Sequence, residues 1–448
     1  MSTVLPRPSV RPAGAWTFPT PRELRLANGL TVLLYNVPGQ HVISVRLSIP
    51  APLRAEPRER EGVAAIMARL LDEGTAAHDQ RELAELLERH GIGIGAGVSE
   101  QALGVDLEVS RRHLTAGFEL LTECLTQPAF AADDVARMVR TRLAEIAQER
   151  ASAGRRAHAE LVAAYYDPSA RASRPGAGSP ETVAAITRDD VRAFHRAHVH
   201  PDHATVVIAG DLGEVDVDTL LADTIGTWPA SAEPLPEPTR EPAPLAADRC
   251  RIILVDRPGS VQSEIVMATP GPDRRGEWAP FPVLGWILGG APNARIDAIL
   301  REEKGYTYGI RALFRPRQIG GMLIVSGSVR ADSTAESVRL LRQIVAGMEG
   351  GVTAQEARAG IDFATLTAPG RYETADAIAD EAIALATDGL PLTFTSDLVA
   401  AMRSLTVTDL DAAWRREVRH DWTVVVVGDA ASIREGLADL GEVTIATQ

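Results

Sequence analysis

One heptapeptide occurs twice. Thr205-Val-Val-Ile-Ala-Gly-Asp211 returns as Thr423-Val-Val-Val-Val-Gly-Asp429. Each copy is an unbroken apolar, β-branched run closed by Gly-Asp, which reads as a strand with no polar face. Each follows a helix introduced by a Thr/Asp pair, Thr187 with Asp190 and Thr408 with Asp409. A repeat of helix plus buried strand, once in each half of 448 residues, predicts two divergent copies of one unit. Between them, Pro229–Pro244 holds six prolines among glutamate and alanine. That composition favours a stiff, extended linker. The expected organisation is therefore a first half at 1–228, a linker at 229–246 and a second half at 247–448.

Within each half, short strands mix with longer helices. Leu24 to Tyr35 reads as two strands around an Asn28-Gly29 turn, which implies antiparallel pairing. His41 to Ile49 and Leu103 to Val109 alternate as strands, and Val63, Ile66, Met67, Leu70 and Leu71 are spaced along one helix face. Helices are expected over 79–90, 114–126, 133–150 and 189–197, and a long polar loop from Tyr165 to Pro180. The second half repeats the mixture, with strands at 251–255, 264–268, 310–314 and 322–329 and helices at 336–348, 353–366 and 375–386. The fold class is α+β: two homologous α/β-sandwich halves with mostly antiparallel sheets.

A formal charge of -14 disfavours a nucleic-acid partner, and Arg311, Arg315 and Arg317 form only a small basic cluster. No apolar run reaches the length of about 18 residues that spans a bilayer, so no membrane is expected. Cys124 and Cys250 lie in separate halves, too few for a disulfide framework or a cysteine zinc site. A reducing compartment, the cytoplasm, fits this usage.

Three stretches could carry chemistry. Gly91, Gly93, Gly95 and Gly97 alternate with apolar residues, which suggests a strand edge open to close backbone approach. His195, His198, His200 and His203 crowd a helix end, where metal binding competes with favourable electrostatics at a helix C-terminus. Arg301 and Tyr308 lie seven apart, at a helix end and a strand start, with Gly305 as the turn. An arginine can clamp a carbonyl or carboxylate, and a tyrosine can donate to an oxyanion. Cys124 on an apolar helix face reads as core.

The ordered set Leu26-Ala-Asn28-Gly29-Leu30-Thr-Val, Gly74-Thr75, Pro128-Ala-Phe130, Val207 to Asp211, Gln262-Ser263 and Leu288-Gly289-Gly290 through Leu300-Arg-Glu-Glu-Lys-Gly-Tyr-Thr-Tyr308 spans most of the chain. It resembles the pitrilysin/insulinase family of zinc metallopeptidases, whose relatives include the mitochondrial processing peptidases. Active members carry an inverted zinc motif, H-x-x-E-H, on a first-half helix. The positions that match it are Ala65, Ala68 and Arg69, and the match to the family's third ligand is Glu145. Two methyls and a guanidinium bind no zinc, so this chain is expected to hold no metal or cofactor.

The resemblance also implies that Arg301 and Tyr308 hold a substrate backbone, facing an open cleft shared with Gly93 and Gly95. On that reading the chain is the non-zinc subunit of a heteromeric peptidase. Its partner, a homologous chain, supplies the zinc and general base, and the ligand is a peptide. The alternative is an inactive structural or peptide-binding protein of the same fold. A third reading is a hydrolase built on the histidine group.

Overall fold

The computed structural model describes residues 14–51, 53–231, 250–317 and 320–446. Most of the expected proline-rich linker, 232–246, lies outside the described residues.

The first sheet contains β1 (Arg22–Arg25), β2 (Thr31–Asn36), β3 (Val42–Ile49), β4 (Gly93–Val98), β5 (Leu103–Ser110) and β6 (Thr205–Gly210), in the order β1-β2-β6-β3-β5-β4. The second contains β7 (Arg251–Asp256), β8 (Gln262–Gly271), β9 (Arg311–Arg315), β10 (Gly321–Arg330), β11 (Thr423–Gly428) and β12 (Glu442–Ala446), in the order β12-β7-β11-β8-β10-β9. Five positions correspond strand for strand. The sixth differs: β1 runs antiparallel to β2, whereas β12 runs parallel to β7. Both sheets are mixed and mostly antiparallel. The repeated heptapeptides form β6 and β11, at matching inner positions.

Helices α1 (Val63–Arg69), α2 (Gln80–His90), α3 (Leu114–Thr126), α4 (Ala132–Ala151), α5 (Ala153–Tyr165) and α6 (Arg188–His198) belong to the first half of the chain, α7 (Ala375–Asp388) and α8 (Val407–Glu417) to the second. The helix-start repeat needs one correction. The Thr187 side chain caps α6 through the Asp190 amide, and its counterpart on α8 is Thr406, not Thr408, bonded to the Asp409 amide. Thr408 lies inside the helix. The repeated signal is a Thr-x-x-Asp capping box.

The unbroken apolar runs now have a cause. Val206 and Ile208 of β6 face the core of their own half, and Val207 and Ala209 face outward into a second cluster with Ala375, Ile378, Ala379 and Ala382 of α7. Val424 and Val426 of β11 likewise face inward, while Val425 and Val427 face Ala157, Leu161 and Tyr165 of α5. Each half therefore lends a helix to the outer face of the other half's sheet. The expected polar loop from Tyr165 to Pro180 is overturned in part. Helix α5 precedes it, unanticipated, and Tyr165, Tyr166, Ala170 and Ala172 are buried. The Tyr165 hydroxyl donates to the Gly321 carbonyl at 3.1 Å. On the opposite sheet, Arg46 of β3 donates to Asp380 of α7 at 2.6 Å and to Glu108 at 2.7 Å, and Thr387 donates to Ser48 at 2.7 Å. Among the described residues no helix is long and apolar enough to cross a membrane.

Leu161, 1% exposed, sits in the centre of the exchanged contact. Leu161→Ala should cost about 2–5 kcal/mol and lower the thermal midpoint of the whole chain. The control Val261→Ala, at a residue 84% exposed, should change it by no more than about 0.5 kcal/mol.

Candidate functional site

Helix α1 is anchored from a distance. Its first amides have no partner within the helix. The Glu56 carboxylate accepts from the amides of Gly62 at 2.9 Å and Ala64 at 3.0 Å, and pairs with Arg171 at 2.8 Å. Burial pushes the Glu56 carboxyl up, against the pull of Arg171. So held, α1 turns Val63, Ile66, Met67 and Ala68 into the core and leaves Ala65 half-buried and Arg69 exposed, on the side that meets α4.

The side chain across from Arg69 is Glu145. Arg69 Nη1 donates to both Glu145 oxygens at 2.8 Å. Arg142, itself buried, adds a bond to Glu145 at 3.1 Å and holds Glu149 with two more, at 2.8 and 3.0 Å. The Arg69 guanidinium, with Arg142, keeps the Glu145 carboxyl below its usual range. These four residues form a closed charge network. Ala65 and Ala68 offer methyls, and arginine has no lone pair to give a metal. Glu145 is the one carboxylate of the ligand pattern, and it is already saturated by cations. The residues do not fit zinc. Among the described residues no group of three or more His, Cys, Asp or Glu is placed to hold a metal ion.

The histidine group does not converge either. His195 is buried, donates to the Leu125 carbonyl at 2.9 Å, and burial pulls its pKa down to about 4. His200 donates to the Arg196 carbonyl, His198 packs against Phe194 with the rings tilted, and His203 sits in a left-handed turn at φ 61°. Each has a local role. Cys124 is core: burial pushes its thiol up to about 12, far from a reactive thiolate.

Arg301 lies at the end of the helical turn Ala298–Glu303, and Gly305, at φ 63°, reverses the chain. The following loop is pinned on both sides. The Tyr306 amide donates to the Leu300 carbonyl, Thr307 Oγ1 to the Ser328 carbonyl at 2.6 Å, and the Ile310 amide to the buried carboxylate of Asp297 at 2.9 Å. Held at either end, the loop throws Tyr308 outward, 94% exposed, its hydroxyl without a hydrogen bond among the described residues. Arg301 is half exposed, with Glu302 at 3.4 Å.

Between the end of α4, the solvent face of α5 and the loop to Pro180 lies a cavity of about 940 Å³, bordered by Ile146, Glu149 and His158. Glu149 ties it to the Arg69–Glu145 network. Arg301 and Tyr308 are not among its lining residues. Gly93, Gly95 and Gly97 lie on β4, one of the two edge strands of the first sheet. The sequence reading did not single out Glu56, Arg142 or Glu149. Their signal was available only as unpaired charges on helices and loops distant in the chain.

Two family models match the chain. The one described as "Insulinase (Peptidase family M16)" matches residues 31–173, and the one described as "Peptidase M16 inactive domain" matches 185–361. The chain belongs to peptidase family M16. It is 25% identical over 299 residues to an uncharacterized zinc protease of Streptomyces coelicolor, a match spanning 65% of this chain and 64% of that protein, just under two thirds of the relative's length. It is 22% identical over 355 residues, 78% of this chain and 80% of the other, to a protein of Helicobacter pylori named a non-peptidase homolog. The crystal structure of a "peptidase M16 inactive domain" from Pseudomonas fluorescens superposes with a TM-score of 0.83 at 23% identity, covering 91% of this chain and 98% of that one. Together with the Arg69–Glu145 pair, the second family model makes the chain an M16 member of the inactive, non-zinc-binding type.

If Arg69 occupies the place a metal takes elsewhere in the family, removing it should uncover a ligand set. Ala65 and Arg69 lie one turn apart on the exposed side of α1. Ala65→His/Arg69→His should gain close to one zinc per chain with Glu145 as third donor, measured by chelator competition, while the wild type gains none. Adding Ala68→Glu should destabilise the fold by about 2 kcal/mol or more, since Ala68 is 1% exposed within the core.

Proposed function

We propose that this chain binds extended peptides without cutting them, as a catalytically inactive peptide-binding member of its family. The observation that carries this reading is the bare face of β4. None of Gly93, Gly95 and Gly97 has a positive φ. A Cβ built at Gly95 or Gly97 meets no atom within 4 Å, and at Gly93 only Glu108, at 3.9 Å. Neither backbone angle nor internal packing demands glycine there. An edge strand with one face free of side chains lets another backbone approach closely and add a strand by main-chain hydrogen bonds. The Arg69–Glu145 pair meanwhile leaves the chain without a metal centre to cleave what it binds, and no cofactor is needed. Two unpaired cysteines fit a cytoplasmic setting.

Gly95→Val tests this directly. The substitution should leave the thermal midpoint unchanged, because the added side chain enters open space. It should weaken binding of fluorescein-labelled Ala/Ser/Val octapeptides by tenfold or more in fluorescence anisotropy. Equal binding by wild type and Gly95→Val would overturn the reading.

A second reading places the chain as the non-zinc subunit beside a homologous zinc-bearing partner, with Arg301 and Tyr308 reaching the partner's substrate. Its support is Tyr308, an aromatic hydroxyl held in solvent by a loop fixed on both sides. Mixing with a zinc-bearing homologue should raise that protein's peptide cleavage, and Arg301→Ala/Tyr308→Phe should abolish the gain while assembly, followed by sedimentation, persists. No gain at any ratio of the two chains would remove this role.

A further inference from the structure

The free edges of the two sheets end at the same place. Strand β4 finishes at Val98 and β9 at Arg315, and both termini line a second cavity of about 390 Å³ at the seam between the halves. The floor is α5, through His158 and Val162. His158 Nδ1 donates to the Gly154 carbonyl at 3.0 Å.

The charge of this cavity runs against the rest of the molecule. Formal charge over the chain is -14. Here five arginines line one small space, and a single carboxylate, Glu100, lines it with them. Three of the five are matched. Arg171 pairs with Glu56, Arg174 with Glu61, and Arg317 with Glu100. The side chains of the remaining two, Arg54 and Arg315, make no hydrogen bond or ion pair among the described residues. Arg54 is half-buried and comes from the first half; Arg315 is exposed and comes from the second. Two arginines from different halves therefore line one cavity without an ion-pair partner of their own, at the end of the strand edge that the peptide reading uses.

We infer that this cavity is a carboxylate subsite, selecting peptides with an acidic residue at the end delivered beyond Val98. The inference rests on strand addition to β4. A peptide paired with Gly93–Val98 is carried by its own extended geometry past Val98 into the space between Arg54 and Arg315. The guanidinium fork suits a carboxylate. Antiparallel addition brings the peptide's N-terminal end there and parallel addition its C-terminal end, so the favoured position of the acid also reports the strand direction.

The experiment uses the full chain and three labelled octapeptides of one Ala/Ser/Val composition, acetylated and amidated so that only side chains carry charge. One is neutral, one has Asp-Asp at its N-terminal end and one has Asp-Asp at its C-terminal end. In anisotropy titrations at about 0.05 M salt, one of the acidic peptides should bind at least tenfold tighter than the neutral one, and the advantage should shrink at about 0.5 M salt. Arg54→Gln/Arg315→Gln should erase the advantage and leave neutral-peptide binding unchanged. Neither arginine makes an ion pair, so an unshifted thermal midpoint is expected for the variant. Equal affinity for all three peptides, or an advantage that survives in the variant, overturns the subsite while strand addition stands. Absence of binding by every peptide overturns both.

Discussion

Each sheet in this molecule is apolar on two faces, and one half can cover only one of them with its own helices. The exchange of α5 and α7 solves that constraint. Val207 and Ala209 would face water without α7, and Val425 and Val427 without α5. Alanines at the contact, Ala375, Ala379 and Ala382 on one side and Ala157 on the other, let the helices approach the sheets closely. The seam between the halves and the two cavities that α5 lines follow from where those helices are placed.

The same economy governs the charges. Glu56 and Glu145 are the carboxylates on which the α1 region turns, and each is satisfied by arginine. Glu56 ends α1 and binds Arg171; Glu145 takes Arg69 and Arg142. A guanidinium and a divalent metal make similar demands on a carboxylate, but the guanidinium brings its own directionality and no Lewis acidity. The helix-to-helix connection between α1 and α4 is preserved while the chemistry that a metal would provide is absent.

What was legible in the sequence was whatever repeats or alternates. The duplicated heptapeptide located β6 and β11, and the alternating glycines located β4. Ala65, Ala68, Arg69 and Glu145 were linked only through the family resemblance, since nothing in their own spacing pairs them. Helix α5 was not legible. Its packing stripe is thin, Ala157, Leu161 and Tyr165 one turn apart, and the charged and polar residues between them, Arg155, Arg156, His158 and Glu160, face solvent or the cavities and mask the period. Arg54 drew no notice in the sequence, and Arg315 stood out only as one of a small basic cluster with Arg311 and Arg317. A lone arginine becomes informative only when the fold shows which carboxylates its neighbours have already taken. Thr406 was displaced by the nearer Thr408, because spacing to the capping acid, not proximity, decides a capping box.

The reciprocal helix exchange has a consequence for how the two halves are joined. Because each half is completed by a segment of the other, the covalent connection between Ser231 and Cys250 is not what aligns them. In that sense the chain is a heterodimer written as one polypeptide, its interface the two faces on which α5 and α7 are packed.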